Sequence, residues 1–361
     1  MDTDVALGER ERAVVNAFQG GFPVAPRPFE PAAAALRDRG VDVSAGELLE
    51  TIRYLEERDV LSRFGPLIDA EAIGGTAVLA ATSAPDDRVD EIAETINARR
   101  EVAHNYERDH PELNLWFVVS VADADRVPEV LAGIEAETGR ETYAMPKRRE
   151  FELEARFPVD GPLSDESLEI GPGADEPSPG ASPADASSPL SPAERDLVLE
   201  VQDGLPLSET PYADVAAAVD RDPDWVRETI RRFDREGKIR RVGVVPNHYA
   251  LGYTVNGMTV WDVPDDLVSE VGSAVASLPF VTHCYERPRH EGVWSYNLFA
   301  MVHGRSEGEC RRRIERVRET VAEYDDVRED DWETLFSTRI LKKTGIRLTE
   351  RVEANTRPDT T

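Results

Sequence analysis

The sequence repeats itself about halfway along the chain. Glu50-Thr-Ile-Arg53 recurs as Glu228-Thr-Ile-Arg231 at an offset of 178, and His104-Asn-Tyr-Glu-Arg108 recurs as His283-Cys-Tyr-Glu-Arg287 at an offset of 179. A third match, Asn-Leu-Trp with Asn-Leu-Phe, follows at 183. Because chance matches would not stay in register, the chain is predicted to be an internal duplication with small loop insertions.

Each half begins with helical signals. Ser191-Pro-Ala-Glu194 and Ser44-Ala-Gly-Glu47 are capping boxes, and Asp222-Pro223 also favours a helix start. Residues 60–64 and 239–245 are predicted to be the short strands of a wing. Three helices followed by a wing indicate a winged helix-turn-helix.

The remainder of each half has the pattern strand-helix-strand-strand-helix-strand, which is typical of a ferredoxin-like βαββαβ domain. Its helices would cover one face of the sheet, so the other face needs a partner sheet. We expect the two halves to supply these faces to each other, as a pseudo-dimer within one chain. The predicted strands are 76–82, 102–108, 113–121 and 142–151, then 253–260, 281–287, 294–302 and 332–341.

A linker is expected between the halves. Residues 158–190 include seven acidic residues and no Lys, Arg or aromatic residue, so they cannot bury enough apolar area to offset their ordering entropy. The predicted fold class is α+β, a tandem duplication of a winged helix-turn-helix followed by a ferredoxin-like βαββαβ domain. Its units are 1–65 (winged helix), 66–157 (α/β domain), 158–190 (disordered linker), 191–246 (winged helix) and 247–350 (α/β domain).

The composition indicates in which environment the protein is expected to work. Acidic residues number 71 against 42 basic ones, and only four of the basic residues are lysines. Such a surface is typical of halophilic proteins, because concentrated salt screens the repulsion; an ordinary acidic protein is the alternative. Two cysteines outside any CxxC, no signal peptide and no long apolar run predict a reducing cytoplasm and no membrane.

DNA binding is expected to be unlikely despite the winged helices. The candidate recognition helix at 45–58 has more acidic than basic residues, and the arginines of 223–236 are offset by carboxylates. Phosphate binding needs an excess of cations.

The repeated His-x-Tyr-Glu-Arg segment is the strongest candidate for chemistry. Side chains alternate along a strand, so His104, Tyr106 and Arg108 share one face, and so do their counterparts in the second copy. Arginine binds carboxylates at two points, histidine can donate a proton near neutral pH, and tyrosine can orient either. The alternative is a structural role, in which these polar side chains are hydrogen-bonded to one another or to the backbone at an interface between sheets.

Further cations follow the motif in sequence and favour a small polyanionic ligand. For Lys147–Arg149, the alternative is that these side chains lie at solvated strand ends. The sequence contains no HExxH or CxxC…H pattern, phosphate loop or nucleophile elbow, so no metal site is predicted. These additional cations are His110, Arg289 and His290 in the hairpins, and Lys147, Arg148, Arg149, Arg339, Lys342 and Lys343 on or after the fourth strands.

The segments SRFGPLID, HNYERDH and NLWF, paired with RRVGVVPNHYALGY, HCYERP and YNLF, resemble siroheme decarboxylases, and the layout is similar to Lrp/AsnC regulators. The resemblance covers about 5–155 and 190–345, as two homologous subunits fused. Pro288-Arg289 stands where the first half has Asp109-His110, so the halves are expected to differ in role.

The resemblance implies loss of two acetate carboxyl groups from siroheme in alternative haem biosynthesis. No added cofactor is expected, because the iron belongs to the substrate. A haem-responsive or small-molecule-responsive Lrp/AsnC-type regulator and a ligand sensor are the alternatives. The candidate proton-transfer residues are His104, His283, Tyr106 and Tyr285, and the candidate substrate-binding residues are Arg108, Arg287, Arg289, His110, Trp116, Lys147 and Arg148, with Phe299 as a second wall residue.

Overall fold

Each half folds as three helices followed by a βαββαβ unit. This computed structural model describes residues 6–121, 123–153, 156–164, 190–328 and 330–343. The first half comprises α1 (Glu9–Phe18), α2 (Phe29–Asp38), α3 (Ala45–Glu57), β1 (Leu61–Ile68), β2 (Thr76–Thr82), α4 (Val89–Ala98), β3 (Val102–Arg108), β4 (Leu115–Val121), α5 (Val127–Thr138), β5 (Thr142–Met145) and β6 (Arg149–Leu153).

The second half repeats this order, with the single strand β11 in the place of β5 and β6, and the architecture confirms the predicted α+β class. Ser44 and Ser191 each form the complete capping box that the sequence predicts. The elements are α6 (Pro192–Val201), α7 (Pro211–Ala218), α8 (Pro223–Arg235), β7 (Ile239–Pro246), β8 (Val255–Trp261), α9 (Val268–Ala276), β9 (Val281–Glu286), β10 (Leu298–Gly304), α10 (Glu307–Val321) and β11 (Trp332–Lys343).

The two winged helices merge into one unit. Apolar side chains of α1–α3 and α6–α8 form a single buried core, and β1 pairs antiparallel with β7. Each expected wing is therefore one strand of a ribbon shared by both halves. Gly65 pairs with Gly243, and a Cβ on Gly243 would lie 2.5 Å from the Phe18 carbonyl oxygen, so glycine is required for this close approach.

The α/β units share a nine-stranded sheet in the order β5-β2-β4-β3-β11-β8-β10-β9-β6. Its terminal strands, β5 and β6, are separated only by residues 146–148, so the sheet bends back on itself. The sequence predicts one strand over 142–151, and this is wrong, because the chain leaves the sheet at Pro146, which has no N–H to donate.

The fourth strand of each half crosses into the other half. β11 pairs first with β8 and then with β3, while β5 pairs with β2 and β6 pairs with β9. A buried cluster between the sheet faces takes Ala81 and Trp116 from the first half and Met258, Phe299 and Leu335 from the second. The halves thus pack as a pseudo-dimer, joined by strand exchange as well as by facing sheets.

Three strands begin later than the sequence predicts. Residues 113–114, 253–254 and 294–297 precede β4, β8 and β10. Asn114 and Asn297 instead hydrogen-bond both backbone groups of Ala84 and Val263, respectively. These bonds hold the loop that follows the neighbouring strand, which accounts for the repeated asparagine of the Asn-Leu-Trp/Phe motif.

The residues that pack against the first half extend beyond 158, the predicted start of the linker. Asn16 on α1 bonds the backbone of Val159 and Pro162, and Gln19 bonds both backbone groups of Phe157. Residues 158–164 are therefore packed, because α1 satisfies their backbone; residues 165–189 of the predicted linker lie outside the described residues. In the described ranges no helix is long and apolar enough to span a bilayer.

Candidate active site between the two halves

Both copies of the His-x-Tyr-Glu-Arg motif line one cavity. It has a volume of about 410 Å³, which lies in the range of small-molecule sites. Strand alternation places the side chains as the sequence predicts, since Asn105, the residue after His104, turns away and bonds Asn97 on α4. The cavity-lining members of the two copies are His104, Tyr106, Arg108, His283, Tyr285 and Arg287.

The two arginines are buried and reach across the pseudo-dimer. Arg108 Nη1 donates to the Leu335 carbonyl oxygen at 2.9 Å, and Arg287 Nη1 donates to the Met145 carbonyl oxygen at 2.5 Å. Within the described part of the chain, neither Nε has an acceptor. Burial lowers the pKa of each guanidinium to about 10, so both remain cationic at neutral pH. Buried cations with spare donors favour an anionic ligand, because a buried unpaired charge is costly.

The tyrosines lie beside the arginines. Arg108 Cζ is 5.6 Å from the Tyr106 ring centroid, and Arg287 Cζ is 4.9 Å from that of Tyr285. Burial raises the pKa of both phenols above the usual value, and the adjacent arginine only partly opposes this. Both hydroxyls therefore stay protonated and can donate hydrogen bonds.

His283 differs from the sequence-based expectation of an imidazole that titrates near neutrality. Burial lowers its pKa to about 4; Arg240 and Arg287 act in the same direction, whereas Glu150 opposes them. In the ligand-free cavity the ring is neutral at pH 7. A polyanion bound next to it would reverse this shift.

The two copies have different surroundings. The first end of the cavity (His104, Tyr106 and Arg108) faces Tyr249, whose pKa is raised to about 12 by burial and by Tyr106, and Asn256.

The second end (His283, Tyr285 and Arg287) faces a cluster of ion pairs. Lys147 Nζ lies 2.6 Å from a carboxylate oxygen of Glu71 and of Glu150. Arg240 contacts Asp69 at 2.5 Å and Glu150 at 2.8 Å.

Comparison with known proteins identifies the family. A model of the AsnC-like ligand binding domain matches residues 72–152 and 250–342, and one of the siroheme decarboxylase NirDL-like HTH domain matches 194–240. The siroheme decarboxylase NirDL subunit of Paracoccus denitrificans is 32% identical over 346 residues, which is 96% of this chain and 99% of that protein. The chain belongs to the siroheme decarboxylase family.

Other relatives fit the duplicated architecture. The siroheme decarboxylase NirH subunit of Pseudomonas aeruginosa is 48% identical over 159 residues, 44% of this chain and 91% of that subunit. The crystal structure of the siroheme decarboxylase NirDL in co-complex with an iron-uroporphyrin III analogue has a TM-score of 0.66 and 26% identity, and covers 94% of each chain. Because these family members are named as decarboxylases, the predicted regulator alternative is not favoured.

Three of the substrate-binding residues predicted from the family do not line the cavity. Arg289 is held by Asp262 and Asp265, His110 Nδ1 accepts from the backbone N–H of Leu113 at 2.9 Å, and Arg148 is exposed. Nearby carboxylates hold Arg289, and a nearby backbone N–H holds His110. Arg148 lies where the chain leaves the sheet. By contrast, Trp116, Lys147 and Phe299 do line the cavity.

Sequence reasoning missed seven polar residues of this cavity. Three of them are Asp69, Glu71 and Asn256. Arg240, His248, Tyr249 and His303 line the cavity, because the β1–β7 ribbon and β10 border it. A difference between the two sequence copies could have pointed to two of these residues. The repeat offset pairs His248-Tyr249 with Ala70-Glu71, which is a change of chemistry at a shared position.

Proposed function

We propose that this chain removes carboxyl groups from two acetate side chains of siroheme and forms didecarboxysiroheme in alternative haem biosynthesis. The observation that carries the proposal is the single cavity in which both copies of the motif meet, each with a buried arginine whose Nε has no acceptor in the described structure. The full-length relative of 32% identity, named a siroheme decarboxylase subunit, supports it.

The cavity residues suit the chemistry of acetate decarboxylation. Loss of carbon dioxide leaves carbanion character that the macrocycle absorbs, and a proton then completes the methyl group. Arg108 and Arg287 would hold carboxylates, and His104 and His283 would transfer protons with Tyr106 and Tyr285 orienting them. Binding a polycarboxylate would raise the low pKa of His283 toward its ordinary value, because nearby carboxylates favour proton uptake by the ring.

The remaining cavity residues would shape the site. Trp116 is 1% exposed and donates its indole N–H to the Leu113 carbonyl oxygen, so its ring is fixed and can wall the macrocycle together with Phe299. Lys147 would add a cation at the second end. Each decarboxylation consumes one proton and releases one carbon dioxide with no change in electron count, so no added redox cofactor is needed.

The winged helices would act as scaffold rather than as a DNA-binding module. Arg53 of α3 donates to the Leu207 carbonyl oxygen at 2.8 Å, and its repeat counterpart, Arg231 of α8, donates to that of Val24. Arg227 and Arg232 pair with Asp224 and Glu194. These cations are committed to internal contacts, and the salt-rich reducing cytoplasm that we infer from the composition would weaken phosphate contacts further.

Anaerobic incubation with siroheme tests the proposal. Mass spectrometry should show stepwise loss of two carboxyl groups, first to a singly and then to a doubly decarboxylated product. The matched control is the His104→Ala/His283→Ala double variant, which should bind siroheme and leave its mass unchanged. Unchanged siroheme with the wild-type protein, together with duplex DNA binding at the working salt, would instead support the regulator.

A further inference from the structure

A hydrogen-bonded chain runs behind the wall of the second end. His283 Nδ1 lies 2.8 Å from Thr282 Oγ1, which lies 3.2 Å from His303 Nδ1 and makes a longer contact of 3.4 Å with the Met301 carbonyl oxygen. Both imidazoles line the cavity, but Thr282 is only 3% exposed and is not part of the lining. The hydroxyl therefore connects two cavity histidines by a path that a ligand in the cavity would not block.

The chain couples the proton positions of the two rings. A threonine hydroxyl has one proton to donate and two lone pairs that accept. When Thr282 donates to His283 Nδ1, it can accept only from a protonated His303 Nδ1, and the neutral His283 ring then carries its proton on Nε2. Moving the hydroxyl proton exchanges these roles, so a proton can pass between the rings.

The reaction creates a need for such a path. Each decarboxylation consumes one proton, and two occur per substrate. A buried neutral imidazole that gives up its Nε2 proton must recover one, because an imidazolate in a dry cavity is unfavourable. With a macrocycle covering the cavity face of His283, the Nδ1 side is the route that remains.

The first end lacks these parts. Ala103 precedes His104 where Thr282 precedes His283. The strand registers pair His104 with Val118 and His283 with Met301, so Ser120 occupies the place of His303. Both copies thus have the motif histidine, but only the second copy has a threonine hydroxyl before it and a second imidazole, that of His303.

We propose that Thr282 and His303 form a proton relay that keeps His283 neutral while it donates its proton in each decarboxylation, an inference that rests on the proposed function. As His283 Nε2–H transfers its proton to the substrate carbon, Thr282 Oγ–H passes its proton to His283 Nδ1. His303 Nδ1–H restores the hydroxyl, and His303 Nε2 takes up a proton from solvent. Once the tetrapyrrole has moved away from His283, solvent protonates His283 Nε2 and the chain runs in reverse, so that His303 Nε2 releases its proton and each decarboxylation consumes one proton in all. No oxidant or reductant is involved, and Thr282 is a positioning residue that does not touch the substrate.

Thr282→Val tests the relay, because it keeps the shape of the side chain and removes the hydroxyl. We expect turnover to fall about 10- to 100-fold, at or below the lower end of the effect of a positioned proton donor, with unchanged affinity for an iron-uroporphyrin III analogue. Thr282→Ser should restore most of the rate. The matched control is Thr259→Val on β8, since Thr259 is equally buried and its hydroxyl donates only to the Ala300 carbonyl oxygen; it should retain turnover.

A readout independent of activity separates this inference from the proposed function. Imidazole ¹⁵N chemical shifts of the ligand-free protein report the tautomers, and Thr282→Val should change those of both His283 and His303, whereas Thr259→Val should not. Unchanged shifts for either ring would overturn the relay, as would wild-type turnover by Thr282→Val or equal losses in the Ser and Val variants. A wild-type protein that leaves siroheme intact would refute the proposed function, and the relay would then be only a tautomer coupling.

Discussion

The two ends of the cavity present the same three side chains in different electrostatic surroundings. At the first end, the groups that act on Arg108 are the phenols of Tyr106 and Tyr249. At the second end, Arg287 also experiences the carboxylate of Glu71, and the nearby Lys147 and Arg240 are already paired with acids. The first end keeps a buried positive charge for a substrate carboxylate, while the second end is close to neutral.

The second end has what the first lacks for moving protons, the chain from His283 through Thr282 to His303. The comparison therefore indicates a division of work between the copies. One copy is suited to anchor a carboxylate, and the other is suited to supply protons. Arg289, predicted from the sequence as a substrate-binding residue, has no part in this division, since Asp262 and Asp265 bind it outside the cavity.

The largest expected effect is on proton transfer. His283→Ala should lower turnover about 10²- to 10⁴-fold, the range for loss of a positioned acid, and His104→Ala should lower it less, because Ala103 and Ser120 offer no relay. Single-turnover kinetics with siroheme would measure both, with binding of an iron-uroporphyrin III analogue as the control for folding. A larger loss of turnover for His104→Ala than for His283→Ala would contradict the proposed division, in which the second end supplies the protons.

The arginines should differ in binding. Arg108→Ala is expected to weaken affinity for the porphyrin analogue about 10- to 100-fold, the equivalent of one lost hydrogen-bonded charge pair. Arg287→Ala should cost less, because Glu71 already offsets part of its charge. Fluorescence or absorbance titration measures both, and Arg289→Ala, outside the cavity, should bind as the wild type does. Equal losses for the two cavity arginines would show that the ends are electrostatically equivalent.

Ligand binding should take up a proton at the second end. His283 has a pKa of about 4 in the ligand-free cavity, and a polycarboxylate raises it toward the ordinary value of about 6.5. The bound state then holds more protons between those values, so affinity should rise as pH falls through that window. Calorimetry in buffers of different ionisation enthalpy would count the protons.

The His283→Gln variant should lose that proton uptake. His110→Gln is the matched control, because burial also lowers the pKa of His110 but the residue does not line the cavity. Equal uptake by His283→Gln and the wild type would place the titration on the substrate or at the first end.

The smallest effect is expected from the connection between the halves. Replacing residues 165–189 with a neutral Gly/Ser segment of adequate reach should leave thermal stability and turnover unchanged. Extending the replacement back to 158 should lower the melting temperature, because it removes the side chains of Val159 and Leu163 that pack against the winged-helix core and makes the backbone that accepts from Asn16 more flexible. Equal stability of the two variants would show that the contacts with α1 contribute nothing.

Much of the fold follows from local sequence signals. The capping boxes at Ser44 and Ser191 and the alternation of His104, Tyr106 and Arg108 predict helix starts and a common face, because both depend on neighbours within a few residues. The pairing of β1 with β7 and the crossing of β11 to β3 depend on the other half of the chain, and no local pattern encodes them.

The candidate site was also predictable only in part. The motif identified six cavity residues, since repetition marks what both copies keep. Residues that differ between the copies, such as Tyr249 opposite Glu71 and His303 opposite Ser120, carry the asymmetry, and a search for similarity passes over them. Arg289 was misplaced because proximity in sequence to Arg287 does not reveal Asp262, which lies on another loop.

The strand exchange also orders events during synthesis. A domain made by the ribosome folds as its residues emerge, but β3, which carries His104, keeps one edge unpaired until β11, the last described strand, has been translated. An open edge can template pairing with other chains, and closing it requires contacts of very large sequence separation, which form slowly. The nascent chain thus exposes an unpaired edge of β3, beside the future cavity, through most of translation, and that edge can pair with a neighbouring chain until β11 has been made.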